Sequence, residues 1–320
     1  MTGAPIPARA RVIIDNDFAG DPDGLFQLAH HVLCSSTEVV QVIASRLPEA
    51  MLSADRDAVA EGVAAADEVL ALSASALRAV AGSRAALGSL TDPSPSAATE
   101  SIVREAMRDD TDVPLFYAAG GALTELATAY LTEPRIADRL TLVWIGGHGY
   151  DSPVEQPEFN TGTDLMAAQV VFRSHIPIWQ VPEPTYAQCL VSWAELYHDI
   201  APLGPLGSYL VDRWRVFTDR IERMFGATLG ECAVLGDSPL VLLTALRGTF
   251  RAEPSSSPST LEPRRSIEDD GAYGAALPDL PSVRVFSGVD MRLTYGDLVA
   301  KLAAHADRAD GSAASEALNA

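Results

Sequence analysis

Short β-branched runs alternate with amphipathic, often Ala-rich ones from residue 12 to residue 182, and that alternation leaves few architectures open. Val12, Ile13 and Ile14 form a strand-like run, LFQLAHHVLC (25–34) has helical spacing, EVVQVIAS (38–45) reads as a strand and ADRDAVAEGVAAADEVLALS (54–73) as a long helix. The pattern continues with a helix near 97–108 before PLFYAAG (114–120), a helix over 122–132 before LTLVWIGG (140–147), and AAQVVFRS before IPIWQVP (176–182). Repeated βαβ units predict an α/β fold, a mostly parallel open sheet with helices on both faces.

The α/β core is expected over 11–185, within a single domain spanning 1–320. From 186 to 247 the pattern becomes helices without intervening strands, with SYLVDRWRVFTDRIERMF (208–225) amphipathic and SPLVLLTAL (238–246) almost wholly apolar, which predicts a helical cap. Residues 251–282 are rich in Pro and Ser without a clear period and read as an irregular loop with the composition of a lid. RVFSGV (284–289) is a late strand, YGDLVAKLAAH a closing helix, and 307–320 a frayed tail.

Composition excludes several function classes. A 320-residue chain that is 48% hydrophobic can bury a full core. Its formal charge of −20 argues against nucleic acid or anionic membrane as partners, because phosphate binding needs a basic face. Cys34, Cys189 and Cys232 are odd in number and scattered, so neither a disulfide framework nor a thiolate metal site is indicated and core or near-core positions are expected. No stretch reaches the roughly 18 apolar residues of a membrane helix, and MTGAPIPARARVII is too short and too poor in apolar residues for a signal peptide. The expected location is cytoplasmic.

The chemistry gathers in VIIDNDFAGDPDG (12–24), which places Asp15, Asp17, Asp21 and Asp23 at the carboxyl end of the first strand. Ligands of open α/β sheets bind at that edge. An N-cap role explains Asp21 alone, in front of Pro22. Four crowded carboxylates repel one another and call for a hard divalent cation, Ca²⁺ or Mg²⁺, with oxygen ligands. One loop rarely fills such a coordination sphere. The turn AGGALTE (119–125) and LGDSPL (235–240), with Asp237, are the candidate contributors, although Asp237 also suits a helix N-cap.

These stretches resemble the inosine-uridine type nucleoside hydrolases, whose signature is a strand followed by D-x-D-x-x-x-D-D. Here Asp15-Asn16-Asp17 and Asp21-Pro22-Asp23 match it in altered form. In order along the chain, AAGGALTELATAYLTEPRIADRLTLVWIGG (118–147), PEFNTGTDLMAAQVVF (157–172), GDSPLVLL (236–243) and VDMRLTYGDLVAKLA are similar to further family elements, over about residues 11–303. The resemblance implies a nucleoside hydrolase-like fold and a Ca²⁺-dependent N-ribohydrolase, Mg²⁺ being the lesser candidate. It implies Asp17 as metal ligand and general base, Asp21, Asp23 and Asp237 as carboxylate ligands, and Thr124 as a backbone ligand. Glu158 and Asn160, with Asp23, would bind ribose. The implied partner is a small nucleoside or riboside, and the implied assembly a homodimer or homotetramer.

Three departures stand out. The adjacent aspartate pair is interrupted, so either Asp21 and Asp23 straddle Pro22 as the working pair, which we favour, or Asp23 comes first and Gly24 replaces the second carboxylate. Glu125 stands where an asparagine is usual. Gly236 stands where a histidine commonly helps the base to leave, which directs attention to His198 or Tyr273 as substitute acids. The Gly24 alignment would favour a non-catalytic ribose- or nucleoside-binding protein. An aspartate-nucleophile phosphohydrolase needs a well-placed lysine, and Lys301, the only one, lies in the closing helix. Trp193, Tyr197, His198 and Trp214 in the cap could stack on a base, though aromatics at helical spacing more often pack a core.

Overall fold

The computed structural model describes residues 6–52, 56–226, 228, 230–248 and 257–319. The chain runs β1 (Ala10–Asn16), α1 (Asp23–Val32), β2 (Thr37–Ala44), α2 (Ala58–Leu72), β3 (Ala79–Ala81), α3 (Ala97–Ala106), β4 (Leu115–Ala119), α4 (Thr124–Thr132) and β5 (Leu140–Ile145). It continues with α5 (Phe159–Thr163), α6 (Leu165–Phe172), β6 (Ile178–Val181), α7 (Glu183–Tyr186), β7 (Leu190–Ser192), α8 (Trp193–Glu195) and α9 (Gly204–Phe225). The last part comprises β8 (Cys232–Val234), α10 (Ser238–Thr244), β9 (Ser259–Glu262), β10 (Arg265–Ile267), β11 (Tyr273–Ala276), β12 (Val283–Phe286) and α11 (Met291–Asn319).

Eight strands form one sheet in the order β3-β2-β1-β4-β5-β6-β12-β9. All neighbours are parallel except β9, which pairs antiparallel with β12. The expected open α/β sheet is what forms, because successive β-branched strands are buried on both faces and need helices over each. β1 makes this visible. Val12 and Ile14 enter the core beneath α1, α2 and α10, while Ile13 enters the opposite core beneath α3, α4 and α6. Chain order reverses between β1 and β4, so a crevice opens outside their carboxyl ends, where a ligand can reach the backbone of both.

The cap shares the first of these cores through Leu196, Leu206, Leu210, Trp214 and Leu235. Several expectations need correction. The cap is not purely helical, since β7 and β8 pair antiparallel within it. Segment 251–282 is not wholly irregular: β9 extends the main sheet and β10 pairs with β11, while residues 251–256 lie outside the described residues. β3 was not anticipated either. Each of these strands is three or four residues long, too short for an alternating pattern to emerge, and register with a neighbour creates it. The tail over 307–319 is helical as the end of α11. Cys34 and Cys189 are buried as expected, whereas Cys232 is exposed.

Candidate active site

A cavity of about 300 Å³ opens at the β1–β4 crevice. Its acidic floor is Asp17, Asp21, Asp23 and Asp237, with the Gly20 and Gly120 backbones beside them. Glu158, Asn160 and Tyr186 form a polar wall, and Met51, Phe159, Phe217, Ile221 and Val234 an apolar one. Three distant segments thus meet: the loop after β1, the turn after β4 and the start of α10.

The aspartates are not helix caps. α1 begins at Asp23 with Pro22 as N-cap, and Leu25 N donates to the Pro22 carbonyl at 2.9 Å, with no side-chain cap. Asp237 occupies the N-cap position of α10 but makes no capping bond. Its Oδ2 instead accepts from Asn16 Nδ2 at 2.7 Å, and its backbone N–H donates to Asp23 Oδ2 at 3.0 Å. Asp23 Oδ1 accepts from Gly24 N at 2.8 Å. Asp23 is also within hydrogen-bonding reach of the Asp21 carboxyl on one side and the Asp237 carboxyl on the other. Adjacent carboxyls at that separation must share a proton or a cation.

The electrostatics agree. Burial, and then the charges of Asp21, Asp237 and Asp15, push Asp17 well above the carboxylate range. Asp23 is raised by burial and then by Asp21, Asp237 and Asp17. Burial raises Asp21, and carries Asp237 up to about 8, Asp21 adding to it. No Lys, Arg or His is among the residues lining the cavity. Asp15 is different: it is buried below the floor, accepts from Tyr117 OH and does not line the cavity, and burial lifts it to about 7.

The backbone turn after β4 lies against Asp237. A Cβ at Gly120 would stand 2.6 Å from both Asp237 carboxylate oxygens and 2.3 Å from Asn16 Nδ2, so only glycine lets this strand end approach. Thr124, expected as a backbone ligand, does not reach the cavity. It is the first residue of α4, its carbonyl accepts from Thr128 Oγ1 at 2.8 Å, and its hydroxyl donates to Asp164 at 2.6 Å. A carbonyl inside a helix points along the helix axis, away from the strand edge.

Glu158 and Asn160 are brought to the wall. Glu158 caps α5, and its carboxylate is filled: Oε1 accepts from Asn160 N (3.1 Å) and Tyr186 OH (2.8 Å), Oε2 from Gly147 N (2.7 Å), Thr161 N (3.0 Å) and Thr161 Oγ1 (3.0 Å). Gly147 can donate because it holds φ +79°, where a Cβ would collide with Gln180 at 2.3 Å. Asn160 Nδ2 donates to the Ile145 carbonyl at 2.8 Å, which turns its other amide atom, Oδ1, away from that strand end.

Other anticipated residues lie elsewhere. Glu125 is buried and tethers neighbouring loops, accepting from Ser83 N (2.7 Å), Ser96 Oγ (2.7 Å) and Thr99 Oγ1 (2.9 Å). His198 is exposed beside Asp199, and Tyr273 stacks on Tyr150 and bonds Gln180. Trp193 stacks on Tyr197, while Trp214 is core. The aromatics that do line the cavity are Phe159, Tyr186 and Phe217. Phe217 and Ile221 are an i, i+4 pair on one face of α9, a spacing that does not by itself separate a cavity wall from core.

The acidic floor offers only oxygen donors and fits a hard divalent cation, although no three of its carboxylates bring ligand atoms within 4.8 Å of one another. The one described trio that does, His30, Cys34 and Asp297, is outside the cavity, and Lys301 already pairs with Asp297.

Residues 29–310 match the family model described as inosine-uridine preferring nucleoside hydrolase. Among solved structures, the chain is similar to the purine-preferring ribonucleoside hydrolase from Gardnerella vaginalis, with a TM-score of 0.72 and 17% identity over 92% of this chain and 99% of that one. It is similar to the inosine-uridine preferring nucleoside hydrolase from Bacillus anthracis, with a TM-score of 0.66 and 15% identity over 92% and 99%. An inosine-guanosine nucleoside hydrolase superposes with a TM-score of 0.68 and 17% identity over 91% and 98%. No curated protein matches the sequence at a significant level. With the family matched over most of its length and the fold shared, the chain is a hydrolase belonging to the inosine-uridine preferring nucleoside hydrolase family.

Proposed function

We propose that the chain cleaves the N-glycosidic bond of a ribonucleoside or related riboside, releasing ribose and the free base, in a reaction that depends on Ca²⁺. The observation that carries this reading is the floor of four aspartates at the β1–β4 crevice, three buried and Asp21 half-buried, without a basic residue in its walls. Asp17, Asp21, Asp23 and Asp237, with the Gly120 backbone in the place first given to Thr124, would hold the ion. Ca²⁺ suits a many-oxygen set better than Mg²⁺, which demands a tighter octahedron. Such an ion, when bound, acidifies a water and grips vicinal hydroxyls.

Asp17 is then the base that removes a proton from the attacking water, and the neighbouring carboxylates stabilise the positive charge that develops on the ribosyl ring. Asp23 and Asn160 Oδ1 accept from ribose hydroxyls. Glu158, saturated by five donors, fixes the wall, and its partner Tyr186 presents the one hydroxyl-bearing ring of the cavity. The leaving base rests against Met51, Phe159, Phe217 and Ile221. Asp21 and Asp23 work as a pair across Pro22. The favoured pairing is supported by both carboxylates lining the same cavity. Base salvage in the cytoplasm, by a homodimer or homotetramer, completes the proposal, and light scattering tests the assembly.

The test is release of reducing sugar from a panel of ribonucleosides with Ca²⁺ and after chelation. Ca²⁺-dependent release of ribose is expected. Undiminished turnover in chelator would overturn the metal dependence, and ribose binding without cleavage would revive a purely binding role.

A further inference from the structure

A second cavity, of about 310 Å³, lies behind the Ala19–Gly20 turn, and its charged lining is mainly basic, with Asp57 the one carboxylate among its lining residues. Arg46, Arg56 and Arg84 line it in a chain whose net charge is −20. Leu47 also lines it and comes within 3.2 Å of where a Gly20 Cβ would stand, while Gly20 lines the acidic cavity. The two cavities are therefore separated where Leu47 packs on Gly20.

The arginines are unequally satisfied. Arg84 makes a two-pronged contact with Asp57 Oδ2 at 2.8 and 3.0 Å, and Arg56 pairs with Glu61 at 2.9 Å while donating to the Ala19 carbonyl at 2.8 Å. Arg46 is the exception. It is 5% exposed, its Nη1 donates to the Thr163 carbonyl, its Nε has no partner, and no acidic side chain pairs with it among the described residues. A buried guanidinium without a counter-charge is costly unless a ligand supplies one. The crowding extends to Arg220, which donates to the same Ala19 carbonyl at 3.5 Å and whose proton affinity is lowered by burial and then by Arg56.

We propose that this cavity is a subsite for a phosphate-type dianion, held by the forked donors of Arg46 with Arg56 and Arg84. Guanidinium groups match the spacing of phosphate oxygens, and Arg84 can turn from Asp57, since its side chain is 61% exposed. The subsite stands on its own residues and does not depend on the reaction assigned to the neighbouring cavity. The phosphate is either a free anion or the 5′-phosphate of a ribosyl ligand.

Calorimetric titration of the full chain in chelator, with inorganic phosphate and separately with ribose 5-phosphate, tests the idea. Saturable phosphate binding is expected, weakened about tenfold or more by Arg46→Gln and by Arg84→Ala. Binding of ribose 5-phosphate no tighter than phosphate would identify a free anion as the ligand, and clearly tighter binding a phosphorylated riboside. Should Arg46→Gln fail to fold, the exposed Arg84 decides. Absence of saturable binding up to about 10 mM phosphate, or unchanged binding in Arg84→Ala, overturns the proposal.

Discussion

Asp15 and Asp23 look equivalent as letters in the aspartate run and differ completely in place. Asp23 meets Asp21 and Asp237 on the cavity floor, whereas Asp15 is sealed beneath it against Tyr117. Asp23→Ala should therefore abolish ribose release, while Asp15→Asn, which keeps an acceptor for Tyr117, should spare most of it and cost stability. Equal turnover in Asp23→Ala and the parent chain would show that the loop does not work as assigned. Gly236 carries a second prediction at this scale. A Cβ there would lie 3.2 Å from Asp23 Oδ2 and 3.4 Å from the Tyr186 ring, and no histidine lines the cavity. Burial, and then Glu158, push the Tyr186 hydroxyl up, making it a poor proton donor. General-acid catalysis is typically worth on the order of 10² to 10⁴ in rate. An activated riboside such as 4-nitrophenyl riboside should accordingly be cleaved far faster than inosine, and comparable kcat/KM values would mean that an effective acid exists.

At the scale of elements, the helix–strand alternation was legible because each β-branched run is buried on both faces and each helix covers one. Asp17, Asp21, Asp23 and Asp237 were legible for a related reason, since strand ends and helix starts are marked by Gly and Pro. Backbone contributions were not. Gly120, which lines the cavity, has no side chain to notice, while Thr124, four residues on at the start of α4, does not line it and has its carbonyl engaged by Thr128. The base-side wall was equally hidden, because Phe217 sits on the long amphipathic helix α9, where its cavity-facing position cannot be distinguished from core by spacing alone. That position makes a prediction. Aromatic contact with a base is worth about 1–3 kcal/mol by alanine substitution, so Phe217→Ala should lower kcat/KM for nucleosides by roughly tenfold or more. Its effect should be small on a riboside with a minimal leaving group. Equal loss on both substrates would place Phe217 in folding and not in base recognition.

Across the whole molecule, the seam that holds the cap's last helix to the sheet carries a pH dependence. His31 on α1 is fully buried, bonded to Gln27 and, at 2.8 Å, to Thr244 Oγ1 on α10. Burial, and then neighbouring His30, lower it to about 3, and burial lowers His30 in the same direction against its Asp297 partner. The folded state therefore keeps His31 neutral, while the unfolded chain takes up a proton below about pH 6.5. The stabilisation is complete above that value and is lost as pH falls from 6.5 towards 3, at up to about 1.4 kcal/mol per pH unit for this one group. Chemical denaturation at a series of pH values in chelator should show this slope, and His31→Gln, which can still accept from Gln27 and donate to Thr244, should flatten it by about one proton. The carboxylate floor acts in the opposite sense over its own range, since groups that bind protons more tightly in the fold than outside it lend stability as pH falls. The difference between parent and variant isolates the histidine because the floor is common to both. An unchanged slope in a folded His31→Gln variant would remove the α1–α10 seam as the acid-sensitive element.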